Sequence, residues 1–141
     1  MNNAVEVREF ESLTIGESAS VERTIRAQDV QAFAEISGDY SPLHMDDAYA
    51  LASLFRKRVV HGSFLSSLVS QLVGMKLPGK YALLMRESLE FKKPVFIDDT
   101  IVVQGTIAAK SEAIKVIELV IVVRRGDEVI ATGSVHTRVL H

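Results

Sequence analysis

Gly62-Ser63-Phe64-Leu65-Ser66-Ser67-Leu68-Val69-Ser70-Gln71-Leu72-Val73 is apolar or small almost all round, and Gly74 and Pro78 close it. A segment without a charged face has no side to give to solvent. It is predicted as a helix at the centre of the molecule, with its serines allowing neighbours to pack closely. The chain after it follows another rhythm. Residues 82–91, 100–109, 113–124 and 128–140 are rich in Val, Ile, Leu and Thr. Turn-prone clusters separate them: Ile97-Asp98-Asp99, Lys110-Ser111-Glu112 and Arg125-Gly126-Asp127. Successive long strands with short connections predict an antiparallel meander. Residues 118–123 lack alternation, which predicts a strand covered on both faces. Residues 17–26 add a further candidate strand near the N-terminus. The fold class is therefore α+β, a curved antiparallel sheet wrapped around one apolar helix. A strand face left exposed by that wrap favours dimerisation.

Upstream of the central helix, residues 28–36 place Val30, Phe33, Ala34 and Ile36 close to helical spacing, and Gly38 is a helix stop. Residues 46–55 read as a second short helix, with Asp46 and Asp47 at its positive N-terminal end. Between the two lies Ser37-Gly38-Asp39-Tyr40-Ser41-Pro42-Leu43-His44, and Val60-His61-Gly62 follows after a gap. Gly38 and Pro42 keep the first run irregular. In a bent loop, Asp39 and His44 can reach one small molecule. An acid and an imidazole beside a glycine amide are the groups needed to move protons next to a polarised carbonyl.

Composition narrows the setting. At 141 residues and 48% hydrophobic, the chain can bury one core and is read as a single domain, 1–141. A net charge of −2 supplies no basic field for nucleic acid. The chain has no cysteine, which excludes disulfides, thiolate chemistry and cysteine-ligated zinc. Residues 1–12 carry Glu6, Glu9 and Glu11 without an apolar stretch, unlike a signal peptide. No window approaches a transmembrane length. A cytoplasmic protein without membrane attachment is expected.

Phe33-Ala34, Ser37-Gly38-Asp39-Tyr40, Pro42-Leu43-His44, Val60-His61-Gly62 and Leu89-Glu90-Phe91-Lys92-Lys93-Pro94-Val95 together resemble the MaoC-like family of hot-dog-fold proteins, specifically its (R)-specific enoyl-CoA hydratases. The likeness runs from about Ala27 to the C-terminus. It implies a hot-dog fold whose additional helical segment carries the active-site loop. The implied reaction is hydration of a trans-2-enoyl thioester to the (R)-3-hydroxyacyl thioester, or the reverse dehydration, in fatty-acid or related acyl metabolism. No cofactor is implied, because the thioester itself is the electron sink; coenzyme A or phosphopantetheine belongs to the substrate. Two positions depart from the family pattern. Ser41 stands where Asn is usual, and Asp98 where Gly is frequent.

Each residue carries a plainer reading beside the catalytic one. Asp39 is either a catalytic group or the head of an Asx-turn after Gly38. His44 is either a proton carrier or a half-buried histidine bonded near a helix start. His61 reads as structural or as support for the working residues. Gly62 is either a helix-start glycine or, as the resemblance implies, an oxyanion-binding amide. Ser70, where relatives have a small polar residue near the site, is otherwise a packing serine, and Ser41 can brace its loop by hydrogen bonding. A metal site of His44, Asp46 and His61 fits no standard spacing and is rejected. Phe64, Leu65, Leu68 and Leu72 would line or border an acyl pocket. Arg56, Lys57, Arg58, Lys92 and Lys93 are either solvated cations or contacts for carrier phosphates or an acidic acyl carrier protein.

Three classes of function fit these residues. A hydratase or dehydratase uses Asp39 and His44 directly. A hot-dog thioesterase generally carries a carboxylate on its central helix, and residues 62–73 contain none. A domain that only holds acyl thioesters would not need the acid and imidazole together. The hydro-lyase is the reading adopted, with a homodimer expected from sheets that join edge to edge.

Overall fold

The computed structural model describes residues 3–141. Met1 and Asn2, at the head of the acidic N-terminal stretch, lie outside the described residues. The chain runs from strand β1 (Ser18–Thr24) through helices α1 (Ala27–Ser37), α2 (Pro42–Met45), α3 (Asp47–Ala52) and α4 (Gly62–Gln71). Four strands follow: β2 (Ala82–Phe91), β3 (Thr100–Ser111), β4 (Val116–Arg125) and β5 (Glu128–Val139). All pair antiparallel in the order β1-β3-β4-β5-β2. The expected meander is β3-β4-β5, while β2 returns to lie against β5. Edge strands β1 and β2 do not pair with each other, so the sheet stays open.

Alternation places the core. Ile101, Val103 and Ile107 of β3, Ile117, Leu119, Ile121 and Val123 of β4, and Val135 and Val139 of β5 all turn inward. They meet Phe64, Leu65, Leu68, Val69 and Leu72 in one buried cluster. Each such side chain contributes about 1.5–3 kcal/mol when fully buried. Close approach is made possible by Gly105, opposite Ile121 in the register. A Cβ there would stand 2.8 Å from Leu72 Cδ2. The wrap around a central helix, predicted from residues 62–73, is the observed architecture.

Four expectations are corrected. Residues 118–123 do alternate: Leu119, Ile121 and Val123 are buried, while Val120 is 43% exposed on the opposite face. The apolar run arises because the outer face also carries valines, so it reports composition rather than a second cover. The central helix does not stop at Gly74. A five-residue π-turn, Leu72–Lys76, carries it on until Leu77 N–H closes on the Leu72 carbonyl at 3.0 Å, which seats buried Leu72 and Val73. The helix expected over 46–55 is the shorter α3, Asp47–Ala52, and the run expected to stay irregular contains a one-turn helix, α2, that starts at Pro42. Asp46 caps α3 by accepting the Tyr49 N–H at 3.0 Å, which separates it from α2. Among the described residues no helix is long and apolar enough to cross a membrane.

Candidate active site

Helix α1 ends at Gly38, whose φ of +77° turns the chain abruptly as its N–H bonds the Ala34 carbonyl. Only glycine enters that region without cost, and the next residue, Asp39, is aimed by the turn. One of its oxygens, Oδ1, accepts the Ser41 N–H at 3.1 Å. The other, Oδ2, lies 3.9 Å from His44 Nε2. The Asx-turn reading of Asp39 therefore holds through Oδ1, and Oδ2 is left facing His44. His44 sits on α2 with Nδ1 2.6 Å from the Val59 carbonyl. A carbonyl only accepts, so Nδ1 carries the hydrogen and, in the neutral ring, Nε2 presents a lone pair towards Asp39. The His44 main-chain carbonyl is in turn held by Arg58 Nε at 2.5 Å.

His61 lies beneath this pair. It is 2% exposed, and its Nε2 donates to the Asp39 carbonyl at 2.8 Å. Its ring stacks on that of His44, centroids 4.0 Å apart and planes 30° apart, and meets the Phe33 ring tilted at 4.8 Å. Gly62 opens α4, where first-turn amides lack an intrahelical acceptor and the helix adds positive potential. A cleft of about 350 Å³ meets these residues, lined by His44, His61, Gly62, Leu65, Phe55, Phe91 and Pro94 among others. That volume suits part of a small-molecule substrate. An oxygen about 2.8 Å from each of Asp39 Oδ2 and His44 Nε2 fits between them.

His44 and Gly62 thus share the cleft and Asp39 joins them through His44, while other predicted residues stand elsewhere. Ser41 contributes its backbone N–H, and its side chain makes no capping bond at the head of α2. Ser70 is exposed on α4 beside another depression, with Val73, Leu83 and Leu84. Lys92 and Lys93 line the cleft, but Lys92 pairs with Glu90 at 3.3 Å and Lys93 with Glu128 at 2.6 Å. Lys93, followed by Arg125, holds the Glu128 carboxyl below its usual range by hydrogen bonding. Arg58 is committed to the His44 carbonyl, and Lys57 Nζ lies 4.3 Å from the Phe96 ring centre. Arg56 is exposed in a left-handed turn, φ +65°. Of the four apolar residues expected around the pocket, Leu65 lines the cleft; Phe64, Leu68 and Leu72 are in the core. Phe55 and Phe91 were missed. The signal available in the sequence was Phe91 standing directly before Lys92-Lys93-Pro94.

Asp39, His44 and His61 also offer donor atoms within 4.8 Å of one another. Stacked rings send their in-plane lone pairs side by side rather than towards one point, so the trio is poorly shaped as a chelate. Asp46, considered with the two histidines from sequence, is the α3 cap instead.

Comparison with known proteins agrees with this geometry. The model of the MaoC like domain matches residues 12–132. The (R)-specific enoyl-CoA hydratase of Aeromonas caviae is 40% identical over 102 residues, covering 72% of this chain and 76% of that protein. The 3-hydroxybutyryl-CoA dehydratase of Methylorubrum extorquens is 32% identical over 130 residues, 92% of this chain and 83% of the relative. The solved structure of the (R)-hydratase from A. caviae involved in PHA biosynthesis superposes with a TM-score of 0.89 at 35% identity, covering 92% of this chain and 98% of that one. With the wrapped sheet, the Asp39–His44 loop and the Gly62 helix start all in place, the chain belongs to the MaoC-like family and has its hot-dog fold.

Proposed function

We propose that this protein is a hydro-lyase that adds water to trans-2-enoyl-CoA to give (R)-3-hydroxyacyl-CoA, or runs the reverse dehydration, in fatty-acid or related acyl metabolism. The observation that carries this reading is the 3.9 Å gap between Asp39 Oδ2 and His44 Nε2 at a cleft that Gly62 lines. A water bridging that gap donates one hydrogen to each group. As its oxygen attacks C3, one group takes a proton, and the C2=C3 electron pair moves onto the thioester oxygen. The Gly62 N–H receives the developing charge. The enolate collapses as the proton returns to C2, so one water supplies both additions. Asp39 and His44 act as a coupled acid–base pair, and no cofactor takes part. Coenzyme A or an acyl carrier protein bears the substrate, with Lys92 on the cleft wall and exposed Arg56, next in sequence to cleft-lining Phe55, as phosphate contacts.

The working unit is a homodimer in the cytoplasm. Strand β2 is a sheet edge with Leu83, Leu84 and Met85 exposed at 46%, 41% and 59%. An open apolar edge of that length pairs readily with another chain, and Ser70 lies beside it. Sedimentation is expected to give a dimer for the wild type and a monomer for Met85→Lys; a monomeric wild type overturns the dimer.

Enoyl absorbance of crotonyl-CoA, with chiral assay of the product, tests the reaction. Asp39→Asn keeps an oxygen for the Ser41 turn but removes the base, and is expected to lower kcat by about 10²–10⁴. His44→Ala behaves alike. Full activity in either folded variant, or release of free thiol in place of hydration, refutes the assignment.

A further inference from the structure

His61 is a buried imidazole that the hydration scheme does not use. Its Nδ1 is enclosed and has no hydrogen-bond partner. A hydrophobic ring at that position would fill the same space without enclosing an unmatched polar atom of its own. Something other than packing therefore accounts for a histidine, and its contacts indicate what. It touches both working residues by different means, hydrogen-bonding the Asp39 main chain and stacking against His44.

The loop it bonds is otherwise held only locally. Gly38 N–H bonds Ala34, Asp39 N–H bonds Ser37 Oγ, Ser41 N–H bonds Asp39 Oδ1, and the Ser41 carbonyl starts α2. Among the described residues, the His61 Nε2 bond is the single hydrogen bond fastening Ser37–Ser41 to a distant element. Its donor precedes α4, the most deeply buried helix. The His61 ring itself packs against both Phe33 and His44.

We infer that His61 is a positioning residue that sets the separation of Asp39 and His44 by clamping the loop of one and backing the ring of the other. This rests on the hydratase reading above but predicts something that reading does not, a loop whose order depends on one ring N–H. Two variants separate the contacts. His61→Phe keeps an aromatic face and removes the donor; His61→Gln keeps an N–H donor at similar reach and removes the ring.

His61→Phe is expected to fold and to keep KM within about twofold, while kcat falls about 10- to 100-fold, as for an ångström-scale misplacement of a reacting group. His61→Gln regains part of that loss. Backbone ¹⁵N relaxation is expected to show Gly38–Ser41 ordered in the wild type and mobile in His61→Phe. If His61→Phe keeps wild-type kcat and loop order, or if the Gln variant is no better than Phe in either, the inference is overturned. Should His61→Phe not fold, the wild type still decides. A slowly exchanging His61 Hε2 proton near Asp39 and Tyr40 supports the clamp, and its absence refutes it. A wild type that hydrates no enoyl thioester defeats the functional reading alone, because the loop measurements do not use turnover.

Discussion

Gly62→Ala separates the two readings of that glycine. A Cβ there would stand 3.3 Å from Phe91 Cζ, 3.4 Å from Cε2 and 3.5 Å from Cε1. Carbon contacts are comfortable at about 3.5–4.0 Å, so the ring must give by a few tenths of an ångström. Phe91 is 50% exposed, and so it can. The glycine has no positive φ, hence alanine fits the backbone. Inside a helix, alanine is favoured over glycine by up to about 1 kcal/mol, and at a first-turn position the gain is smaller. Gain and strain nearly cancel, leaving stability within about 1 kcal/mol of wild type. Activity behaves differently. The new methyl stands beside the amide that should bind the thioester oxygen, and the displaced ring narrows the cleft. Loss of one oxyanion donor costs about 10²–10³ in kcat, so a fall of at least about tenfold is expected for a donor that is hindered rather than deleted. Crotonyl-CoA kinetics beside thermal unfolding reads both quantities. Unchanged kcat/KM with normal folding would show that no substrate oxygen approaches Gly62. A fall in stability of several kcal/mol would show that the glycine serves packing first.

Three further outcomes follow from single features. Gly38→Ala forces a side chain into left-handed backbone at φ +77°, so denaturant melts should show a loss of about 1–2 kcal/mol, with Asn at the same position losing less. Thr137 is fully buried with Oγ1 unpartnered; Thr137→Val removes that orphan and should raise stability by about 1 kcal/mol in the same assay. Hydrogen bonds from Arg8 to Glu17, from Arg23 to Asp29 and from Lys93 to Glu128 hold these carboxyls below their usual range. Stability from them is complete above the unfolded carboxylate pKa of about 4 and is lost as pH falls through the lower folded values. The melting temperature should therefore hold from pH 7 to about 5 and decline below about 4.5, less steeply in Glu17→Gln.

The fold was legible where a pattern had one physical cause. The apolar stripe of residues 62–73 has no solution other than burial, although Ser63, Ser67, Ser70 and Gln71 give α4 an exposed face that the sequence reading denied it; the Val/Ile/Thr segments with their turns permit little besides a meander. Legibility failed where two causes give one pattern. Residues 118–123 read alike whether a second layer covers the strand or its outer face merely carries valine. The π-turn beyond Gln71 was hidden for a related reason. Gly74 is a helix stop only if the residues before it are content to end there, and Leu72 and Val73 need another half-turn to reach the core. Asp98 shows the reverse case. Its φ of +74° is a glycine's conformation, so the departure from the family pattern leaves the turn intact and only puts a costlier residue in it.

In the site, sequence picked out a pair that the fold brings together but misjudged what surrounds it. Asp39 and His44 could be found because acid and imidazole beside Gly38 and Pro42 have few uses together. Arg58 could not be separated from Arg56 and Lys57, since charge alone makes all three equal candidates for a phosphate. Their neighbours make them different. Arg58 is spent on the His44 carbonyl, Lys57 on the Phe96 ring, and Arg56 alone stays extended towards solvent in its left-handed turn. One basic run thus divides between holding the His44 main chain and, on the proposed function, meeting the carrier. Removing Arg58 should then lower kcat through His44, whereas removing Arg56 should raise KM for the CoA ester without changing kcat.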